Sequence, residues 1–261
     1  MRRKFAVHSI LVTLLLAGGS VCFGQAQNQS ASVISAEQPL SYAGQVAISL
    51  AQEHIGKKQY KEALKYAETA ISSNPKSGVP HMVKAFILES TGEAKKAASS
   101  YSKAVALSPD NGYVLNAYAM HLCGLKQYEQ ADASFARAVR DNNYPFGYLA
   151  FENAARCSYE SKNIELAEKR ARAALAMNPA SVTALAIMAH IKFNQSEFME
   201  ARAFIQRLES LGPLHPSMLQ LAQQVEKSAG DDRAAAQYQK KLDIVLQSQI
   251  QPPKGEGQKK P

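Results

Sequence analysis

The 261-residue chain contains no tryptophan, only three cysteines, and none of the short motifs that place a reactive group in a defined pocket. It has no H-E-x-x-H helix for zinc and no G-x-S-x-G turn for a nucleophilic serine. Gly56-Lys57-Lys58 lacks the glycine lead-in and the Ser/Thr of a phosphate loop. His54, His81, His121, His190 and His215 stand near one repeat apart or further, not at the i, i+4 spacing of a helical metal pair. A catalytic role, a metal and a cofactor are therefore not expected, nor is a small-molecule substrate. The net charge is +8, but Arg2, Arg3 and Lys4 supply three of those charges and the C-terminal tail several more. No concentrated basic face with stacking aromatics remains, which argues against a nucleic-acid partner. Lys57-Lys58, Lys95-Lys96 and Lys240-Lys241 read as solvated helix ends or faces.

What is present is a period. Alanine recurs at 63, 97, 131, 167, 201 and 235, in steps of 34, 34, 36, 34 and 34 residues. A second phase runs Ala51, Ala85, Ala119, Ala155, Ala189, and a third runs Ala70, Ala104, Ala138, Ala174 before turning to Leu208 and Leu242. Pro75, Pro109, Pro179 and Pro213 close four of the units, where proline ends a helix and constrains the residue before it. Within 116–139, apolar residues recur at three and four on either side of a break at 124–127, so the stretch reads as two helices joined by a tight turn. A single hairpin of this size cannot bury its apolar face and must stack on its copies. The pattern resembles the tetratricopeptide repeat (TPR), and implies an all-α solenoid of six helix-turn-helix units forming a right-handed superhelix. The units are 44–77, 78–111, 112–145, 148–181, 182–215 and 216–249. With 46% hydrophobic residues and no tryptophan, the core is spread along the array. Gln223, Asp232 and Gln239 make the sixth unit the polar cap where stacking stops.

Residues 1–26 have the parts of a secretory signal: a basic start, a mostly apolar run from Phe5 to Ala17, then small residues. That run is too short for a membrane span. Export to the periplasm is the expectation. Cleavage after Gly24 or Ala26 would release a soluble chain, whereas lipidation of Cys22 would anchor it, although Val21 stands where a lipoprotein signal has a small residue. Residues 27–43 read as a flexible spacer and 250–261 as a disordered tail. Cys123 and Cys157 remain as an even pair on neighbouring first helices, positioned for a disulfide in an oxidising compartment; the alternative is two small buried hydrophobes.

In a TPR array the first helix of each unit lines a groove. Its groove-facing positions include Ile48 and Gln52 in unit one and Val79, Met82, Val83 and Phe86 in unit two. Units three and four contribute Tyr113, Asn116 and Met120, then Asn153 and Arg156. The groove is apolar early and gains amides and charge later, which suits an extended or helical peptide. Ile48 and Gln52 replace the Lys and Asn of a carboxylate clamp.

The run Asn116-x-Tyr118-x-x-x-Leu122-Cys123, then Tyr144-Pro145, then Glu152-Asn153-Ala154-x-x-Cys157, resembles the PilF/PilW family of six-TPR type IV pilus biogenesis proteins. The resemblance implies a non-catalytic, periplasm-facing pilotin that binds the pilus secretin subunit and aids its passage to, and assembly in, the outer membrane. A lipid on Cys22 would hold it at the inner leaflet of that membrane. A periplasmic TPR scaffold for another envelope or secretion complex is the alternative.

Overall fold

The computed structural model describes residues 39–250, with side chains through residue 247. The signal, Cys22, nearly all of the spacer and the tail beyond 250 lie outside the described residues. Within them are twelve helices and no strand: α1 (Tyr42–Gly56), α2 (Tyr60–Ser73), α3 (Val79–Ser90), α4 (Ala94–Leu107), α5 (Gly112–Gly124), α6 (Tyr128–Ala138), α7 (Gly147–Glu160), α8 (Ile164–Met177), α9 (Val182–Asn194), α10 (Phe198–Leu211), α11 (Pro216–Ser228) and α12 (Asp232–Ile250). None of the described helices is long and apolar enough to cross a membrane.

The turn inside each pair is built the same way six times. Lys58, Gly92, Lys126, Lys162, Ser196 and Gly230 all have positive φ, between 57° and 81°. Each is followed by a residue whose N–H reaches back five positions, as in Gln59 N–H to His54 O at 2.8 Å and Gln127 N–H to Leu122 O at 2.9 Å. This is the Schellman closure, which satisfies carbonyls left over at a helix C-terminus and turns the chain sharply. The left-handed residues are separated by the same steps as the alanines. At the other end, Ser41, Asn111, Asn163 and Ser181 accept a backbone N–H from the first turn of α1, α5, α8 and α9.

The alanine phases are where helices meet. Ala63, Ala97, Ala131, Ala167 and Ala201 are fully buried, as are Ala51, Ala85, Ala119, Ala155 and Ala189 on the partner helices. A methyl in place of a longer side chain lets two axes approach, and larger residues then fill the space between pairs: Ile87, Tyr101, Leu115, Phe135, Leu185 and Ile205 are each at most 2% exposed.

Close approach also fixes how a unit opens. Gly78, the N-cap of α3, lies so near the end of α4 that a Cβ there would sit 2.1 Å from the Ala104 carbonyl oxygen and 2.8 Å from Ser108 Cβ. Its N–H donates to Ser108 Oγ at 2.7 Å. Gly112 repeats the arrangement one unit later, with a Cβ 2.5 Å from that of Tyr144 and its N–H donating to Asp141 Oδ2 at 2.8 Å. The starts of α3 and α5 are thus tied to the close of their own units.

Polar ties join successive units. Lys192 of α9 is 5% exposed and its Nζ lies 3.1 Å from Glu168 of α8, 2.8 Å from Glu197 and 3.7 Å from Glu200 of α10. Arg202 of α10 pairs with buried Glu226 of α11, Nε to Oε1 2.9 Å. Arg170 of α8 makes a two-pronged pair with Asp132 of α6 at 2.8 and 2.9 Å.

Candidate functional site

Each odd-numbered helix packs on the next one, α1 on α3, α3 on α5, α5 on α7, α7 on α9 and α9 on α11. Among the described residues no even-numbered helix packs its backbone closely against another even-numbered one; they meet through long side chains, as Arg170 of α8 does with Asp132 of α6. The odd helices therefore form the tighter inner track and the even helices splay outside it. The shared inner face is the candidate binding surface.

The structure sorts the sequence candidates on that face. Gln52 and Arg156 are exposed, Phe86 is 47% exposed, and Val79, Met82, Asn116, Met120 and Asn153 are half-buried. Ile48 and Val83 are corrected: both are buried in the core that α1, α2 and α3 share, alongside Ala47, Ala51 and Ile87. The reason is angular. Val83 is one residue, about 100°, round the helix from Met82, and that step turns it into the seam between helices. Val79 and Met82 also lean on this core with part of their surface. Of the apolar candidates in the first two units, Phe86 is the exposed one, beside the edge of Met82 and the amide of Gln52.

The seam between α5 and α7 is the most elaborated part of the face. Cys123 and Cys157 form a disulfide there, with Cα atoms 5.8 Å apart and both side chains buried. The bridge fixes the two helices against each other beneath the surface. Above it three cross-helix contacts follow one another. Tyr113 meets Phe146 edge-on with ring centroids 6.0 Å apart. Asn153 Nδ2 donates to Asn116 Oδ1 at 3.1 Å. The Arg156 guanidinium lies against Met120 Sδ at 3.2 Å. Tyr113, Asn116 and Met120 are spaced three and four apart, so they share one face of α5.

The aromatic end is a cluster that the repeat reading overlooks. Tyr113 also meets Tyr144 at 4.9 Å, and Phe146 meets both Tyr144 at 6.2 Å and Tyr148 at 6.5 Å. Tyr113 and Phe146 remain about 40% exposed while Tyr144 is buried, and burial pushes the Tyr144 phenol up to about 12. The signal was the expanded junction of units three and four, where three aromatics fall within five residues, Phe146 in the expansion and Tyr144 and Tyr148 on either side of it. Further along, Asn194 Nδ2 donates to Tyr159 OH at 3.2 Å, and burial holds the nearby His190 below the usual imidazole range.

Other polar groups are structural. Glu89 accepts from Tyr101 OH at 3.2 Å and bonds His121 Nδ1 at 2.7 Å, with the imidazole stacked on the phenol at 4.7 Å. This tie joins α3, α4 and α5. A cleft of about 260 Å³ opens between α6, α7 and the start of α8, lined by Tyr128, Asp132, Ser158 and Leu166 among others. Among the described residues no three or more His, Cys, Asp or Glu side chains converge as metal ligands do.

Fold and face together define a TPR array whose working part is a surface for protein contact. The tetratricopeptide-repeat family model matches residues 48–112. The type IV pilus assembly protein PilF of Pseudomonas aeruginosa is 25% identical over 232 residues, 89% of this chain and 91% of that protein. The crystal structure of PilW, described as a widely conserved type IV pilus biogenesis factor, superposes with a TM-score of 0.69 at 27% identity, covering 79% of this chain and 99% of that one. The solved structure of P. aeruginosa PilF gives a TM-score of 0.72 at 25% identity over 80% and 94% of the two chains. An uncharacterised protein of Haemophilus influenzae is 26% identical over 56% of this chain and 78% of its own length. The chain is homologous to PilF and akin in structure to PilW and PilF, TPR proteins of type IV pilus biogenesis.

Proposed function

We propose that this protein binds the outer-membrane secretin subunit of a type IV pilus and promotes its localisation and assembly, with no reaction of its own. The observation that carries this reading is the likeness to PilF over nearly the full length of both chains. The inner face supports it, since an exposed Phe86 beside Met82 and Gln52, followed by an aromatic and amide seam, is a surface for a protein segment. Work is done by binding: the array covers apolar surface on an unassembled subunit, which would otherwise aggregate, and accompanies it through the periplasm. The apolar signal at residues 1–26 directs export. A lipid on Cys22 would hold the complex at the inner leaflet of the outer membrane, and because one acyl chain binds only marginally, the secretin supplies the second contact.

The test is affinity capture of the native protein from detergent-solubilised envelope, with the intact mass of its N-terminus read from the same sample. Co-purification of a secretin is expected, with an acylated Cys22 as the first residue. A secretin with an N-terminus beginning after Gly24 or Ala26 refutes the lipid anchor and leaves a soluble chaperone. Recovery of a different envelope complex without secretin transfers the protein to the scaffold reading.

A further inference from the structure

The seam between α5 and α7 ends in a cation that the fold does not use. Arg137, Arg170, Arg172 and Arg202 each pair with a carboxylate. Among the described residues Arg156 pairs with none, and its polar contact is the Met120 thioether. Beside it the amide pair is half satisfied. Once Asn153 Nδ2 has donated to Asn116 Oδ1, Asn116 Nδ2 and Asn153 Oδ1 are left without a protein partner among the described residues. One donor and one acceptor side by side are what a single residue of extended main chain needs for its C=O and N–H. The Tyr113–Phe146 pair at the opposite end is an exposed aromatic cradle held from behind by buried Tyr144.

We propose that this seam reads an extended peptide segment of the partner carrying a hydrophobic side chain and, four residues away, an aspartate or glutamate. The inference rests on the reading of the inner face as a protein-binding surface, not on the identity of the secretin. The spacing follows from helix rise. Tyr113 and Met120 are seven residues apart on α5, about 10 Å, and Arg156 lies nine residues, about 14 Å, along α7 from Gly147, which follows Phe146 at the N-cap. In an extended strand, residues i and i+4 point to the same side about 13 Å apart, which falls between these limits. The hydrophobic side chain fills the Tyr113–Phe146 cradle, the main chain at the middle residue bonds the two free amide groups, and the acid meets Arg156. The acid is an internal side chain, because one arginine without a second cation does not build a site for a chain terminus. The disulfide beneath keeps the two helices at the separation this reading requires.

The probe is a library of random dodecamers displayed on phage with their C-terminal ends fused to coat protein, selected on the purified protein and followed by anisotropy on the best peptide made synthetically. Enrichment of a hydrophobic residue and an acid four apart is expected, with at least tenfold weaker binding when the acid is replaced by its amide. Arg156→Gln should shrink that ratio to within twofold, and Arg156→Glu should prefer a lysine at the same position. Asn116→Ala combined with Asn153→Ala should weaken every selected peptide about tenfold without altering the acid preference. Arg156 is exposed, so its variants fold, and circular dichroism checks these and the half-buried Asn116 and Asn153 variant alike. Selected peptides without an acid, or an acid preference unchanged in Arg156→Gln, overturn the proposal. So does a peptide ending in a free carboxylate at the acid position that binds as tightly as the internal acid. Because the library contains no chosen secretin sequence, its failure is separable from failure of secretin capture.

Discussion

Replacing Gly78 by alanine tests whether the opening of a unit is set by contact with its close. The backbone at Gly78 is helical, with φ −76° and ψ −24°, so alanine meets no conformational strain there. The added Cβ would lie 2.1 Å from the Ala104 carbonyl oxygen, a main-chain atom inside α4 that cannot rotate aside. Relief requires α3 to move off α4, which also breaks the bond from Gly78 N–H to Ser108 Oγ. Overpacking costs about 1–3 kcal/mol, and the lost buried bond about 1 kcal/mol. Alanine returns about 0.4–1 kcal/mol by restricting the unfolded chain. The net loss is about 1–3.5 kcal/mol, which at a urea m-value of about 2–3 kcal/mol/M lowers the unfolding midpoint by about 0.3–2 M. Gly56 is the internal control. It ends α1, nothing lies within 4 Å of a Cβ built there, and alanine should be neutral or stabilise by up to about 1 kcal/mol. Urea titrations of both variants, followed by circular dichroism, decide the matter. Equal midpoints for Gly78→Ala and Gly56→Ala would refute the close-approach argument.

Cys123→Ser should lower stability by about 4 kcal/mol under oxidising conditions on the loop-entropy model and little under reducing ones; equal losses in both would mean the cysteines matter only as packing. Lys126→Gly should stabilise by about 0.5–1 kcal/mol, because a non-glycine residue at φ 61° costs about 1–2 kcal/mol and glycine gives part of that back as entropy; a lower melting temperature would contradict this. Burial pushes the Glu168 carboxyl up, but hydrogen bonds from Arg172 and Lys192 outweigh it and leave the group below its ordinary value. Its contribution is therefore present above the unfolded carboxylate pKa and lost as pH falls through the folded value. Lys192→Met should cost about 2 kcal/mol at neutral pH and move the acid-unfolding midpoint upward; an unchanged acid midpoint would remove Lys192 from the account. Phe86→Asp should weaken partner capture while leaving helicity intact, and unchanged affinity of the folded variant would remove Phe86 from the binding face.

Alanine phases disclosed the fold because the constraint they report is local and recurrent: two helices meet wherever a methyl is the largest group that fits. The turns carried less signal. Left-handed positions at Lys58, Lys126, Lys162 and Ser196 lack the glycine that normally marks them, so Lys57-Lys58 reads as a solvated helix end or face although the backbone at Lys58 closes a helix. Gly44, Gly78 and Gly112 share the 34-residue step, but among 14 glycines they were not separable without the contacts that single them out. On the inner face the sequence placed Phe86, Asn116, Met120, Asn153 and Arg156 on the correct helices. It failed at Ile48 and Val83, where a single residue of rotation moves a side chain from groove to core. The aromatic cluster escaped because Phe146 lies in the two-residue expansion that interrupts the repeat, with Tyr144 and Tyr148 on the units either side of it, so no single periodic frame lines the three up. The cysteine pair was visible because the two residues fall at positions 12 and 10 of neighbouring first helices, and the Cα separation of 5.8 Å suits a bridge.

The central claim is that the inner face of the odd helices receives the secretin. Photocrosslinking in intact cells tests it directly, with a benzophenone amino acid placed at Phe86 on α3 or at Ser102 on the outer helix α4, both exposed positions. The account predicts a covalent secretin adduct from position 86 and none from position 102. Adducts from position 102 alone, or an adduct from position 86 to some other protein with no secretin, would contradict it.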